Sequence, residues 1–445
     1  MSCRQVAAVT AWGGGPAGAT IRSVPLISII IPTYNRSGLL RSNLDNMVAQ
    51  RLPADEFEVI VADDGSTDDT RAVVESYADR LRLKYTFQED LGFRAGQARN
   101  GGARLAQAPV LAFLDTGTLV GRDWAAAHLE AHARMPDGAG RAVAGYVHAY
   151  PMMNDDAIAR LDGFTDALAQ LTPEQVVARY QDEPLFRDCR HQEFERAGYD
   201  LSRRSVPYDM FWSTNCSVGA AEFWAVGGFD EDFRRWGYED IELGFRLAWH
   251  GVSFQVSRQA WAIEVPHHRD TAHNIGGLLG NLRIMLDKHQ YRDPVLEMVW
   301  LLMITHTVGI SALETTTRSV AEWTEACRGT DAERELELAF ASIPPGRRVA
   351  VFGAGPVVPT AALDAILADF DPAVVARLRA AGGREVLNNL GVRTALPDGA
   401  VDVVVITSRL TGVWEQFGAW ILAEARRIGT DVRHPFADTA SQLIY

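Results

Sequence analysis

From residue 26 to residue 120 the chain alternates short apolar runs with amphipathic stretches, and few folds accommodate that order. Leu26 to Ile31, Phe57 to Val61, Lys84 to Phe87 and Val110 to Leu114 are compact runs rich in aliphatic, β-branched and aromatic residues. Bounded by turn formers such as Pro32-Thr33-Tyr34-Asn35, they read as strands. Leu39 to Ala49, Asp68 to Leu81 and Ala95 to Ala106 lie between them with apolar residues at helical spacing. This βα alternation predicts an α/β fold with a largely parallel sheet, whose ligands bind beyond the strand C-termini. The polar motifs fall at those ends.

Two of these motifs are carboxylate sites. Asp63-Asp64-Gly65-Ser66-Thr67-Asp68 follows the strand Phe57 to Val61, so a buried strand delivers acidic side chains to a turn. Alone, that turn reads better as a helix cap, since Asp and Ser both cap well. Far downstream, Trp236-Gly237-Tyr238-Glu239-Asp240 leads into Ile241 to Leu247, a helical pattern. Its Glu-Asp pair therefore sits at a loop-to-helix junction, where a helix N-terminus favours negative charge. One acidic site behind a strand and another beside an aromatic loop suit an enzyme that binds a polar donor and deprotonates an acceptor.

A chain of 445 residues exceeds what a single core supports, and its net charge of −14 argues against nucleic-acid partners and anionic membrane surfaces. Cys3, Cys189, Cys216 and Cys327 are scattered without paired spacing, which points to reduced thiols and a cytoplasmic location. Residues 1–24 contain Gly13-Gly14-Gly15-Pro16 and read as a disordered leader rather than a signal peptide. Val295 to Leu313 is the longest apolar segment, but it carries Glu297 and His306 and reads as a buried or interface helix, so no membrane span and a possible homodimer are expected.

Taken together, the motifs resemble the inverting glycosyltransferases of family 2. The matching pieces are Ile31-Pro32-Thr33-Tyr34-Asn35-Arg36, the Asp63 to Asp68 loop, Gly92-Phe93-Arg94-Ala95, Ala98-Arg99-Asn100, Phe113-Leu114-Asp115 and Gly227-Gly228-Phe229-Asp230. The segment Trp236 to Asp240 also looks like the acceptor side of galactosyltransferases and polysaccharide polymerases. The resemblance covers about residues 26–290, and the joint order of the motifs is far more specific than any one of them. It implies a GT-A fold, a Rossmann-like α/β architecture that binds nucleotide-diphospho-sugars. In that fold Pro32, Thr33 and Tyr34 would line the nucleotide pocket, with Arg36 and Arg94 nearby, and Asp64 would accept from the imide of a uracil-like base. Arg99 and Asn100 would face the diphosphate. Asp240 would be the general base with Glu239 beside it, and Trp212, Trp236 and Tyr238 would offer faces to the acceptor. Ordinary core packing is the alternative for the aromatic residues, more so for Tyr238 than for Trp236.

The chain departs from the family at the metal site. An Asp-x-Asp is usual after the strand ending Phe113-Leu114, and here the chain reads Asp115-Thr116-Gly117. Asp115 is then one expected ligand of a divalent cation, Mn2+ or Mg2+, and the resemblance offers His267 or His268 as another. Arg94 or Arg269 is the alternative counter-charge for the diphosphate.

Four regions are expected: the leader, a glycosyltransferase domain over 25–290 with an acceptor-side insertion at 151–215, a helical linker or interface over 291–342, and a smaller Rossmann-like domain over 343–445. The insertion either shapes the acceptor site or forms a solvated cap. The last domain opens with Val349 to Phe352 and Gly353-Ala354-Gly355, but Pro356 removes an amide donor and Val358 stands where the fingerprint has a third glycine. It is expected to be a degenerate scaffold or a dimerisation domain. The expected function is inverting transfer from a nucleotide-sugar, a UDP-sugar being the expected donor, to a small-molecule, peptide or oligosaccharide acceptor. The rivals are a non-catalytic binding protein that has lost its metal site, and a bifunctional enzyme with a methyltransferase-like C-terminal domain.

Overall fold

The computed structural model describes residues 8–11, 24–133, 140–150, 158, 160–267, 271–289, 295–304, 310–359, 364–383 and 385–435. It divides into two compact units, residues 1–281 and 282–445.

The first unit is built on a nine-stranded sheet. Its strands are β1 (Ala8–Ala11), β2 (Ile27–Thr33), β3 (Phe57–Asp63), β4 (Leu83–Phe87), β5 (Val110–Leu114), β6 (Thr118–Val120), β7 (Arg141–His148), β8 (Asn215–Gly219) and β9 (Ser253–Glu264). Their order is β1-β4-β3-β2-β5-β8-β7-β9-β6. The four runs recognised in the sequence form its parallel half, with β3 and β5 flanking β2 and β4 beyond β3. The other half is mixed: β8 runs antiparallel to both β5 and β7, and β6 runs antiparallel to β9. The sheet is therefore less parallel than the alternation predicts, because β8 returns through the interior instead of by a helical crossover. Where a disordered leader is expected, Ala8–Ala11 pairs antiparallel with Lys84–Phe87. That pairing covers the edge amides β4 would otherwise expose.

Register sets the ligand end of this sheet. Thr33 lies opposite Asp63, and Asp63 opposite Phe87, so β2, β3 and β4 finish level. The helix Ala95–Leu105 packs closely across them, and a Cβ on its Gly102 would come within 2.7 Å of the Ile30 side chain. In the insertion, the buried pair Arg190–Asp188 (2.8 Å) donates onward from Arg190 to the Gly145 and Met210 carbonyls at 3.1 and 2.8 Å. Those bonds fasten residues 188–210 to β7. Residues 151–157 and 159, within the expected insertion, lie outside the described residues.

The second unit has a five-stranded sheet of β10 (Val349–Phe352), β11 (Ile366–Asp369), β12 (Val386–Asn388), β13 (Val403–Ile406) and β14 (Asp431–Arg433). All pairings are parallel, in the order β12-β11-β10-β13-β14, the doubly wound arrangement with its switch point between β10 and β13. The stretch 291–342, expected as a linker or interface, supplies Met298, Leu301 and Val320 to the same core cluster as Phe352, Leu387 and Ile406. Glu297, buried on the helix Val295–Ile304, accepts from four consecutive amides, those of Leu390, Gly391, Val392 and Arg393, at 2.5 to 3.1 Å. Among the described residues no helix is long and apolar enough to cross a membrane.

At the C-terminal ends of these strands the polar groups bond one another. The buried Arg409 donates Nε to Asp369 Oδ2 at 2.8 Å, and Gly355 N donates to the same oxygen at 2.8 Å. Arg409 Nη1 reaches the Cys327 and Thr330 carbonyls. Asp369, which ends the second strand where the acidic residue of a dinucleotide-binding fold belongs, is thus neutralised from within the unit.

Candidate active site

At the C-terminal ends of β2 and β3, two loops are clamped together. Asp64 N donates to Thr33 O (2.9 Å), Asn35 N to Ser66 Oγ (2.8 Å), Thr67 N to Asn35 Oδ1 (2.8 Å) and Ser37 N to Asp68 Oδ2 (3.0 Å). Gly65 is at φ +98°, and a Cβ there would strike the Asp90 backbone at 2.5 Å, which is why the turn reads Asp-Asp-Gly. The two acids differ in use. Asp63 accepts from Tyr85 Oη, Gly65 N and Ser66 N and so shapes the turn. Asp64 accepts from Gln88 Nε2 and Arg94 N, and burial pushes its carboxyl above the usual range.

Around Asp64, Pro32 is partly exposed, and Thr33 is buried with its hydroxyl unpartnered. The Tyr34 ring is exposed and its hydroxyl donates to Asp90 (2.7 Å). Arg94 is held by Gln97 and the Glu89 carbonyl. Arg36 stands exposed just before the helix Ser37–Val48.

The second cluster joins three elements. Arg99, buried on the helix Ala95–Leu105, donates Nη2 to Asp115 Oδ1 at 2.7 Å and Nη1 to Glu239 Oε1 at 3.2 Å. Glu239 opens the helix Glu239–Trp249 after Tyr238, whose backbone is left-handed at φ 70°. Glu239 is buried and its Oε2 has no partner. Asp240 is partly exposed; its Oδ2 accepts from Ser213 N (2.9 Å) and Ser213 Oγ (3.3 Å), and its Oδ1 from Ile241 N (2.8 Å). Burial raises the pKa of both acids. Mutual repulsion adds to the rise at Glu239, while Ser213 and Arg99 oppose it at Asp240.

Asn100, expected to face a diphosphate, is turned elsewhere. Its amide donates to Phe229 O (2.8 Å) and Glu231 Oε1 (3.0 Å) and accepts from Phe229 N (2.9 Å), so it fixes the loop after Gly227-Gly228. Arg99 is also spent, its charge held between two carboxylates.

Of the aromatics expected on the acceptor side, Trp212 donates Nε1 to Asp209 O (2.8 Å), with the Arg190 guanidinium 4.4 Å from its ring centroid and the Tyr150 ring at 5.4 Å. Trp236 and Tyr238 are half-buried, and Asn281 Nδ2 donates to the Arg235 and Gly237 carbonyls on either side of Trp236.

Asp115 is about one-third exposed, and Arg99 takes one of its oxygens. Asn43 pins the turn that follows it, donating to Thr118 O (2.9 Å) and accepting from Gly117 N (2.8 Å). Val265 N donates to Gly117 O (2.9 Å), which brings the end of β9, and His267 two residues on, alongside this turn. His267 Nδ1 lies 3.0 Å from Val265 O. His268 and Arg269 lie outside the described residues. Among the described residues no three His, Cys, Asp or Glu side chains form a metal cluster. An Mg2+-type site that relies on substrate phosphates takes one or two protein carboxylates, and the partly exposed Asp115 offers one at this turn.

Sequence reasoning missed Ser213, Asn43 and the bridging role of Arg99. Ser213 follows no motif, and the partners of Arg99 lie 16 and 140 residues away, so nothing local announces either.

The fold and the paired carboxylate sites define a glycosyltransferase. The model of glycosyl transferase family 2 matches residues 28–168, and that of the N-terminal domain of galactosyltransferase matches 196–273. The chain is 42% identical over 427 residues to a validoxylamine A glucosyltransferase of Streptomyces hygroscopicus subsp. jinggangensis, spanning 94% of this chain and 98% of that protein. It is 28% identical over 270 residues to a hyaluronan synthase of Pasteurella multocida, 60% of this chain and 27% of that protein. The chain belongs to glycosyltransferase family 2.

Proposed function

We propose that this enzyme transfers a hexose, with inversion, from a UDP-sugar to a hydroxyl of a small polyhydroxylated acceptor, with Asp240 as general base. The observation that carries the reading is the state of Asp240: a partly exposed carboxylate of raised basicity, fixed by Ser213 at a helix N-terminus. Inversion is one in-line displacement. Asp240 takes the acceptor proton, the acceptor oxygen bonds to the anomeric carbon, and the electron pair of the breaking bond leaves with the nucleoside diphosphate.

The donor's base sits against Tyr34 and Asp64, between Pro32 and Arg94. The diphosphate lies toward Asp115, where Mn2+ or Mg2+ held by Asp115 and His267 would neutralise the leaving group. Trp212, Trp236 and Tyr238 offer faces to the acceptor. The similarity to a validoxylamine A glucosyltransferase over nearly the whole of both chains supports glucose as the sugar and a small molecule such as validoxylamine A as the acceptor.

The test is incubation with UDP-, GDP- and dTDP-glucose and validoxylamine A, with manganese and with EDTA, following nucleoside diphosphate release and the anomeric configuration by NMR. A β-glucoside formed from UDP-glucose is expected. A product with retained α configuration would rule out the single displacement.

A further inference from the structure

Asp240 has two carboxylate oxygens, and the structure treats them differently. Both donors of Ser213, its amide and its hydroxyl, converge on Oδ2 at 2.9 and 3.3 Å, whereas among the described residues Oδ1 receives only the Ile241 amide at 2.8 Å. A carboxylate oxygen offers two lone-pair sites, so Oδ2 is filled and Oδ1 keeps one free. Ser213 is itself firmly placed. It is buried, the next carbonyl, of Thr214, accepts from Asp115 N (3.1 Å), and Asn215 follows. Asn215 Nδ2 donates to the Ala260 and Tyr146 carbonyls at 2.8 and 3.2 Å, and its Oδ1 accepts from Trp124 Nε1 at 3.0 Å and faces His128 Nε2 at 3.1 Å. Ser213 thus sits in the turn that leads directly into β8, the strand that joins the two halves of the sheet.

We propose that Ser213 is a positioning residue that reserves Asp240 Oδ1 as the atom that receives the acceptor proton. The inference rests on Asp240 being the general base. In the step, the acceptor O–H proton moves to Oδ1, the freed oxygen pair forms the bond to the anomeric carbon, and the glycosyl–phosphate bond breaks toward the diphosphate. The groups around Asp240 are Glu239 on its own helix, Arg99 and Asp115 across the site, Tyr238 before it and Cys216 on β8. Arg99 is the one cation among them, and it bonds Asp115 and Glu239, not Asp240. Ser213 is therefore the side chain that donates directly to the base.

Ser213→Ala removes one donor from the ionised form and leaves the backbone amide in place. A lost charge-assisted hydrogen bond of this length should lower kcat about three- to tenfold, leave the donor KM within about twofold, and move the acid limb of the kcat profile to higher pH. Ser213→Thr keeps the hydroxyl and should recover most of kcat and the original limb, with thermal denaturation of both variants matching the parent. An unmoved acid limb in Ser213→Ala, or a kcat loss shared equally by the Ala and Thr variants, would overturn the assignment. Asp240→Asn, measured alongside, separates the two failures. If Asp240→Asn remains active, the base reading itself falls. If it is inactive and the Ser213→Ala limb does not move, only the positioning role falls.

Discussion

Arg99 and Asp115 meet at 2.7 Å, and the same guanidinium reaches Glu239 at 3.2 Å. One buried cation therefore ties the turn after β5 to the acid pair that opens the Glu239–Trp249 helix, so Asp115 and Glu239 share one counter-charge.

Removing that cation should be severe. Arg99→Met leaves Asp115 and Glu239 facing each other without a counter-charge, and breaking a buried pair in this way typically costs about 3–5 kcal/mol. Chemical denaturation should show that loss, and kcat/KM should fall at least about a hundredfold. Arg99→Lys should recover stability only in part, since a point charge does not span two carboxylates as a planar fork does. Near-parental stability in Arg99→Met would contradict the bridge.

The proposed role of Asp240 has a pH signature. Burial raises Asp240, and burial with mutual repulsion raises Glu239, so each holds its proton to a higher pH than a free carboxyl at about 4. A base works deprotonated, so kcat should fall as pH drops through the raised value. The acid limb should therefore lie above the ordinary carboxylate range. Asp240→Asn should lower kcat by about 10² to 10⁴ and leave UDP affinity within about twofold, as read by calorimetry.

Asp64 should act on the donor instead. Asp64→Ala removes the acceptor of Arg94 N and Gln88 Nε2 and the expected partner of the base imide. The donor KM should rise about tenfold or more, with a smaller change in kcat. An unchanged donor KM would place the base elsewhere.

In the second unit, Arg409 neutralises Asp369 at the end of β11. S-adenosylmethionine or NAD at millimolar concentration should not shift the thermal transition of the full chain. Arg409→Met should destabilise it by about 3–5 kcal/mol through the unpaired Asp369, without loss of glycosyl transfer per folded molecule. A ligand-induced stabilisation would revive the bifunctional reading.

The parallel half of the first sheet was legible because each strand is one continuous apolar run, and Val110–Leu114 falls where its pattern places it. The loop chemistry at Asp63 to Asp68 was legible for the same reason, since turn formers directly follow a run. The helix expected over Asp68 to Leu81 is regular only from Thr70 to Glu75, with turns continuing to Arg80. β8 and β7 were not read, because their places are fixed by distant partners: Asn215 opposite Leu114, and Ala144 opposite Cys216. Asn100 shows the limit of a motif. Its position matched, but the amide is committed to Phe229, a partner 129 residues away.

The four amides that converge on Glu297 bear on where the chain can be cut. Proline and glycine at 344–346 invite an excision there, yet a fragment beginning at that point would lack the carboxylate that receives the amides of residues 390–393. Among the described residues Gly391 N would keep its bond to Asn389 Oδ1, and the other three amides would lose the acceptor that Glu297 gives them. Any autonomous piece of the C-terminal half must begin upstream of Val295, and the loop 390–393 can take its final shape only after a segment more than ninety residues earlier has reached it. The bonds to Glu297 join two stretches of this unit that share no local pattern.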